Sequence, residues 1–368
     1  MFLESVEVEN FRNLDSNVRC GHGLNILIGL NGQGKTNWLE AINILATTRS
    51  FKTARLQETV EFGERMAIIR GTVSRSEDIH RDLQAVIQGS GKSFFVNGKR
   101  EPVHQYLAQL HAVVFNANEL EIVRGQPDSR RRFLDQAIVS IHPPYVQTLA
   151  DYSRVIKQKN ALLQAAQDER VAPDKAAALL APWNEQLIVH ASRIHRARLR
   201  YVERLNQALE PRLFGQEEIM MNYISSLEGK GDLSDYDSLL AERLMIRVQA
   251  EAAAGYALVG PHRDDLEILS DGHDLRKYGS SGQQRSVLLL LLLANISIYH
   301  SQQQEYPIFL LDDIDAELDF KRIGQLLEYL DGKTQTFVTT SKESFVENFG
   351  EGAAISEVVS GAANPLRA

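Results

Sequence analysis

Gly29-Leu30-Asn31-Gly32-Gln33-Gly34-Lys35-Thr36 fits the pattern G-x-x-x-x-G-K-[ST] and stands between an apolar run and a helical pattern. Glycine-rich backbone can curl its N–H groups around an anion, Lys35 can reach the β- and γ-phosphates, and the Thr36 hydroxyl can ligate Mg²⁺. The flanks agree: Leu24–Ile28 predicts a buried strand, and 37–46 a helix whose N-terminus faces the phosphates. All of Gly29, Leu30, Asn31, Gly32, Gln33, Gly34, Lys35, Thr36 and Asn37 are therefore candidate nucleotide contacts. At average residue frequencies the bare pattern arises by chance in roughly one chain of this length in a hundred, so an ordinary glycine-rich turn is the weaker reading.

A second half of such a site lies far along the chain. Pro307-Ile308-Phe309-Leu310-Leu311-Asp312-Asp313 is an apolar strand ending in two carboxylates, the arrangement by which a phosphate-loop ATPase holds Mg²⁺ through the first acid. Asp312 is the metal-side candidate together with Thr36. Asp313 is placed to orient or deprotonate an attacking water, so Lys35, Asp312 and Asp313 are the catalytic candidates. Asp315, Glu317 and Asp319 follow closely; the plain reading is that Asp319 caps a helix and its acidic neighbours face solvent.

Between the halves, Tyr278-Gly279-Ser280-Ser281-Gly282-Gln283-Gln284-Arg285 precedes a predicted helix over 286–299. A Ser/Gly turn there can be a simple N-cap or an anion site. With the acidic strand about 30 residues later, it resembles the ABC-type signature Leu-Ser-Gly-Gly-Gln, with Ser280, Ser281, Gly282 and Gln283 on its last four positions.

The composition narrows the class. The 368 residues are 43% hydrophobic and 24% charged, which suits a globular protein of two or three domains. One cysteine, Cys20, rules out an intrachain disulfide, fits a reducing cytosol, and is expected to be small buried filler. The longest apolar run, 287–294, falls far short of the ~20 residues a membrane span needs, and the N-terminus lacks the basic and apolar regions of a signal peptide. The net charge of −8 argues weakly against a passive nucleic-acid coat. Basic residues nonetheless cluster, at Arg130-Arg131-Arg132 and at Arg193, Arg196, Arg198, Arg200 and Arg204 with His190 and His195. A solvated helix face is the plain reading of either cluster.

Alternation predicts a half-exposed strand over 1–9, and β-rich sequence follows the first helix at 66–74, 82–88 and 93–96, with Asn97-Gly98 as a hairpin turn. From 103 to about 212 the chain reads as mostly helical, broken at His142-Pro143-Pro144 and at Ala181-Pro182. A strand is expected at 218–223, a helix at 238–254, and alternating strand and helix beyond.

Taken together these residues resemble the RecF family, bacterial recombination and gap-repair ATPases related to SMC-type heads. The likeness runs nearly end to end: Glu9-Asn10-Phe11-Arg12-Asn13, the phosphate loop, Arg49-Ser50-Phe51-Lys52, Gly125-Gln126-Pro127 leading to Arg130-Arg131-Arg132-Phe133-Leu134-Asp135, Gly260-Pro261-His262-Arg263-Asp264-Asp265, the signature, and Leu310-Leu311-Asp312-Asp313 with Glu317-Leu318-Asp319. Three departures stand out. Phe115-Asn116-Ala117-Asn118-Glu119-Leu120 replaces the usual Phe-x-Pro-acid-acid-Leu, Lys159-Asn160 replaces Arg-Asn, and Thr339 and Thr340 stand where transporter-type ABC ATPases carry a His.

The resemblance implies an α/β fold: an ABC-type P-loop ATPase head of residues 1–126 and 256–368, with a mainly helical lobe of coiled-coil-like helices, 127–255, inserted in it. It implies ATP and Mg²⁺ as cofactors and an ATP-dependent homodimer in which the signature of one subunit caps the γ-phosphate held by the other, with slow hydrolysis releasing the pair. It further implies a cytoplasmic protein on double-stranded or gapped DNA, partnered by RecR and RecO mediators and indirectly by RecA, in replication, recombination and the SOS response, and not on a membrane. On this reading Arg193, Arg196 and Arg200 track DNA phosphates without reading bases. Two alternatives remain at this point: the ATPase subunit of a transporter, and a nucleotide-gated scaffold with incidental hydrolysis, since Asp313 replaces a catalytic Glu.

Overall fold

The computed structural model describes residues 1–76, 79–168, 173–209, 213 and 217–367. Parts of the expected helical stretch, 169–172 and 210–212, lie outside the described residues. The chain divides into two compact units, the first Met1–Leu120, Ala208–Glu217 and Ser280–Ala368, the second Glu121–Gln207 and Glu218–Gly279.

The strands run in order β1 (Phe2–Phe11), β2 (Leu14–Arg19), β3 (Leu24–Ile28), β4 (Met66–Ser76), β5 (Ile79–Gln88), β6 (Gly91–Val96), β7 (Lys99–Arg100) and β8 (Ala112–Phe115). Those of the second unit are β9 (Ile219–Ile224), β10 (Asp265–Ser270) and β11 (His273–Asp274). The first unit resumes with β12 (Ile308–Leu311), β13 (Thr336–Thr340), β14 (Ala354–Val359) and β15 (Ala362–Arg367). Its antiparallel sheet has the order β2-β1-β4-β5-β6-β7, and its central sheet the order β15-β14-β3-β13-β12-β8. From β14 to β8 the central strands are parallel, with β15 antiparallel at one edge. β12 is buried along its whole length, as expected for an unbroken apolar run in a parallel sheet covered on both faces.

The helix Lys35–Thr47 is buried almost all round, through Trp38, Leu39, Ala41, Ile42, Ile44, Leu45 and Ala46. A helix apolar on every side must be sandwiched, and its side chains share one core with Leu3, Val6 and Ile69 of the antiparallel sheet and with Leu27, Leu310 and Phe337 of the central sheet. Gln335 ties the two sheets together. Its Nε2 donates to the carbonyls of Leu3 at 2.8 Å and Gly21 at 2.7 Å, and its Oε1 accepts from Leu3 N–H at 2.8 Å.

The apolar run 287–294 is buried inside the helix Ser281–Gln303. That helix begins five residues before the predicted start of 286, because Ser280 and Gln283 form a reciprocal capping box. β8 was hidden within the stretch read as helical: four residues are too few for periodicity to separate strand from helix. It pairs in parallel with β12, Ala112 opposite Ile308 and Phe115 opposite Leu311. Cys20 is half-buried beside the core, and burial pushes its thiol up to about 12.

The second unit holds the helices Pro127–Ile141, Tyr145–Asp168, Pro173–Ala208 and Tyr236–Ala254, with the small sheet β11-β10-β9. His142-Pro143-Pro144 breaks the chain as predicted. Ala181-Pro182 does not: Pro182 lies inside the helix Pro173–Ala208. It is exposed, so water can take up the carbonyl it strands, while Leu180 and Leu187 on either side are buried and hold the helix course. Lys159 and Glu251, both 0% exposed, pair at 2.7 Å between Tyr145–Asp168 and Tyr236–Ala254. Burial lowers the Lys159 ammonium, and Glu251 opposes that shift.

Replacing Gln335 by Leu leaves three backbone groups without their partner in a dry interface. A loss of about 3 kcal/mol in unfolding free energy is expected, read from the urea midpoint; an unchanged midpoint would show that the sheets do not depend on this tie.

Candidate nucleotide-binding site

The loop 29–36 leaves the end of β3 and turns into the buried helix. Position 29 requires glycine because a Cβ there would come within 2.5 Å of the Val358 carbonyl oxygen. Gly34, the residue before the helix, has φ +108°, a conformation that other L-residues rarely adopt. The loop is also tied to the β14–β15 turn: Gln33 accepts from Gly361 N–H at 2.9 Å through its carbonyl and from Ser360 N–H at 2.6 Å through its Oε1. Trp38 Nε1 donates to the Gly361 carbonyl at 3.0 Å. Lys35 Nζ donates back to the carbonyls of Gly29 at 2.7 Å and Leu30 at 2.9 Å, so the charge that would meet phosphate is held at the loop it serves. Burial lowers the Lys35 ammonium, and Asp313, Asp312 and Asp315 pull it back up.

Thr36 and Asp312, 276 residues apart in sequence, are joined by a hydrogen bond from Thr36 Oγ1 to Asp312 Oδ1 at 2.9 Å. Thr339 Oγ1 donates to the same oxygen at 2.8 Å and accepts from Asp313 N–H at 2.8 Å. Burial raises the Asp312 carboxyl, while Thr339 and Thr36 hold it down. Asp313 is exposed and left-handed, with φ 51° and ψ 45°. Burial, then Asp315 and Asp312, raise its carboxyl, and Lys35 lowers it. A left-handed non-glycine residue costs of order 1 kcal/mol or more and persists only where its surroundings enforce it. Here the turn is held by Thr339 at its front and by Asp315 behind, whose Oδ2 accepts from Thr340 Oγ1 at 3.1 Å and lies 3.3 Å from Lys342 Nζ. Asp315 is therefore buried and not solvent-facing, whereas Asp319 does cap its helix, accepting from Arg322 N–H. Both threonines at the end of β13 have their hydroxyls committed to this acidic turn.

Mg²⁺ suits these donors. It binds through one or two protein oxygens plus substrate phosphates, and the Thr36 hydroxyl and Asp312 carboxylate are already neighbours. Among the described residues no group of three or more His, Cys, Asp or Glu side chains could hold a metal alone.

Several residues of this neighbourhood carried no role in the sequence reading. Arg12 forms two hydrogen bonds with the fully buried Glu40, at 3.0 and 2.8 Å, and Ser50 Oγ donates to Glu40 at 2.5 Å. Asn37 Nδ2 donates to Asn13 Oδ1 at 2.7 Å, and Lys52 Nζ donates to Asn37 Oδ1 at 2.8 Å. The segments 9–13 and 49–52 thus converge on the outer face of the phosphate-loop helix. A lone Glu inside an otherwise apolar helical pattern was the available signal for Glu40.

Ser280 and Ser281 are exposed and Gly282 and Gln283 half-buried. Ser280 Oγ accepts from Gln283 N–H at 3.2 Å, and Gln283 Oε1 accepts from Ser280 N–H at 2.9 Å. These bonds are local to the helix start, which is not joined by them to the phosphate loop of its own chain. Arg285 Nε donates to Glu317 Oε2 at 2.7 Å, linking this helix to the acidic segment. In the divergent loop, Asn116 Oδ1 caps the turn 117–120 through Asn118 N–H at 2.8 Å and Glu119 N–H at 3.0 Å.

The basic clusters separate by burial. Arg130 is paired twice with Asp265, at 2.7 and 2.9 Å, and Arg198 twice with Asp135, both at 2.8 Å, and both arginines are buried. Neither lies on a solvated face: burial of a guanidinium demands a carboxylate partner, and each has one. Arg193, Arg196 and Arg200 are exposed, with Arg196 donating to both oxygens of Asp237 at 2.9 Å.

The profile of the RecF/RecN/SMC N terminal domain matches residues 2–363. A DNA replication and repair protein RecF from Synechococcus sp. (strain JA-3-3Ab) is 37% identical, covering 99% of this chain and 98% of that one. Its counterpart from Oceanobacillus iheyensis is 36% identical, covering 99% of this chain and all of that one. A solved structure titled as the recombination mediator protein RecF-ATP in the RecFOR pathway superposes with a TM-score of 0.89 at 30% identity, over 100% of this chain and 98% of that one. An SMC head bound to the C-winged helix domain of ScpA shares the fold, with a TM-score of 0.55 at 15% identity over 100% of this chain and 98% of that one.

Two outcomes follow from the site geometry. Saturating a ligand at a hundredfold over its Kd stabilises a fold by about 2.7 kcal/mol; Lys35→Ala should lose that gain from ATP in a thermal melt, and a wild-type shift would reduce the loop to a structural turn. Thr339→Val removes a bond that holds Asp312 down. The carboxylate then keeps its proton to higher pH, and the acidic limb of Mg²⁺-dependent ATP binding should move upward; a limb that stays in place would remove Thr339 from this role.

Proposed function

The chain belongs to the RecF/RecN/SMC family, and on that premise we propose that it is a DNA replication and repair ATPase of the RecF type, switched by ATP between separate and paired heads. The observation that supports the reading is the linked set Thr36, Asp312, Thr339 and Asp313, a hydroxyl and a carboxylate in contact beside an exposed second carboxylate, with Thr36 at the end of the loop 29–36. In this reading residues 29–37 would hold the triphosphate, with Lys35 toward its β- and γ-phosphates, and Thr36 and Asp312 would hold Mg²⁺, whose chemistry there is to offset negative charge on the phosphates. Asp313, its basicity raised by burial and then by Asp315 and Asp312, accepts a proton from water.

Ser280, Ser281, Gly282 and Gln283 serve the nucleotide of a second copy. The exposure of Ser280 and Ser281 and the local hydrogen bonds between Ser280 and Gln283 leave the turn available to it. Head pairing by ATP and release by slow hydrolysis follow from that arrangement. Double-stranded or gapped DNA is the partner, met by exposed arginines Arg193, Arg196 and Arg200, with RecR and RecO as mediators, RecA downstream, and the cytoplasm as the compartment. The transporter alternative has no support, since the relatives carry replication and repair names.

Duplex DNA should accelerate ATP turnover by the full chain. Asp313→Asn should bind ATP like wild type yet lose turnover by about a hundredfold, the lower range for a general base. Turnover indifferent to DNA would favour an ATPase unrelated to repair, and equal turnover by Asp313→Asn would take that residue out of the chemistry.

A further inference from the structure

The exposed arginines of the helix Pro173–Ala208 are not equivalent. Arg196 is shared with both oxygens of Asp237. Arg193, one turn earlier, is exposed and among the described residues has no ion pair. It lines a groove of about 480 Å³ whose other polar walls are His142, Gln147, Thr148, Asp151 and His190. His190 and Arg193, three apart, lie on one helix face. Asp151 does not make the groove acidic, because its Oδ1 already accepts from Arg154 Nη1 at 2.9 Å and Gln147 Nε2 at 3.0 Å. The helix Tyr145–Asp168 begins at the groove. Its first N–H groups are taken by the carbonyls of His142, Pro143 and Pro144, so it adds the positive field of its N-terminus and not free donors.

We propose that this groove seats a backbone phosphate of duplex DNA, with Arg193 as its charged contact. It rests on the DNA-binding reading above and narrows it. One unpaired guanidinium, hydroxyl and amide side chains, and a carboxylate paired with Arg154 make a polar seat for a single anion, with Arg193 as its charge. A base edge would need a directional set of donors and acceptors, and the groove offers charge instead, so sequence preference is absent. Arg196 contributes less than Arg193, since it reaches phosphate only by leaving Asp237.

The test is anisotropy of a labelled duplex titrated with the full-length protein and ATP across a salt series. Arg193→Glu should weaken binding about tenfold and flatten the log–log salt slope by about 0.9, the value of one lost phosphate contact. Arg193→Lys should restore most of both, and Arg196→Ala combined with Asp237→Asn should flatten the slope by clearly less than Arg193→Glu does. Wild-type affinity and slope in Arg193→Glu, or an equal loss in the Arg196/Asp237 pair, would overturn the groove while DNA binding itself stands. A wild-type protein that binds no duplex would overturn the DNA reading beneath it. Titration calorimetry with inorganic phosphate separates the two anion sources: phosphate binding that Arg193→Glu abolishes, with duplex binding untouched, would make the groove a free-anion site and contradict the proposal.

Discussion

The Asp312 Oδ1 atom is the point on which the first unit converges. It accepts one hydroxyl from Thr36, at the start of the helix after β3, and another from Thr339, at the end of β13, with distances of 2.9 and 2.8 Å. Those strands neighbour one another in the central sheet with β12, so the parallel order β3-β13-β12 is what brings the three side chains to one edge. Even a half-buried carboxylate is costly unless its oxygens are satisfied, and the two hydroxyls satisfy this one without cancelling its charge. The carboxylate therefore stays available to a cation. Thr339 also receives Asp313 N–H, so the same hydroxyl that steadies the first acid fixes the backbone that presents the second.

Around that point the loop is restrained from outside. Gln33 and Trp38 are bound to the turn between β14 and β15, and Arg12, Ser50, Asn13 and Lys52 grip the helix through Glu40 and Asn37. Glu40, fully buried in an apolar helix, is tolerated because an arginine and a serine reach it, and removing either would leave a charge short of partners in a dry interface. The phosphate loop is thus held from both sides before any ligand arrives, which lowers the ordering cost of binding.

Local chemistry was legible in the sequence; distant pairing was not. The loop, the acidic strand, the helix cap at Asp319 and the break at His142-Pro143-Pro144 are each decided by residues a few positions apart, and each stands where the sequence put it. β8 was missed because four apolar residues carry no period, although it forms an edge of the sheet that places Asp312. Gln335 looks like an ordinary polar residue, and only partners far away in sequence give it meaning, whereas Glu40 stands out in sequence only as a lone acid in an apolar helical pattern. Pro182 misled because a proline's cost depends on whether its stranded carbonyl meets water. The arginines misled in the same way: Arg198 and Arg193 read alike in sequence, yet one is locked onto Asp135 and the other faces a groove.

Completion of one copy's nucleotide by the signature turn of another, as proposed above, is open to sedimentation velocity with ATP. Ser280→Arg costs only a helix cap, about 1 kcal/mol, so the variant remains folded and retains its own phosphate loop. Wild type is expected to double its mass with ATP but not with ADP, and Ser280→Arg to stay monomeric while still binding ATP. A Ser280→Arg protein that pairs with ATP as wild type does would contradict it and leave Ser280 as the start of a helix and nothing more.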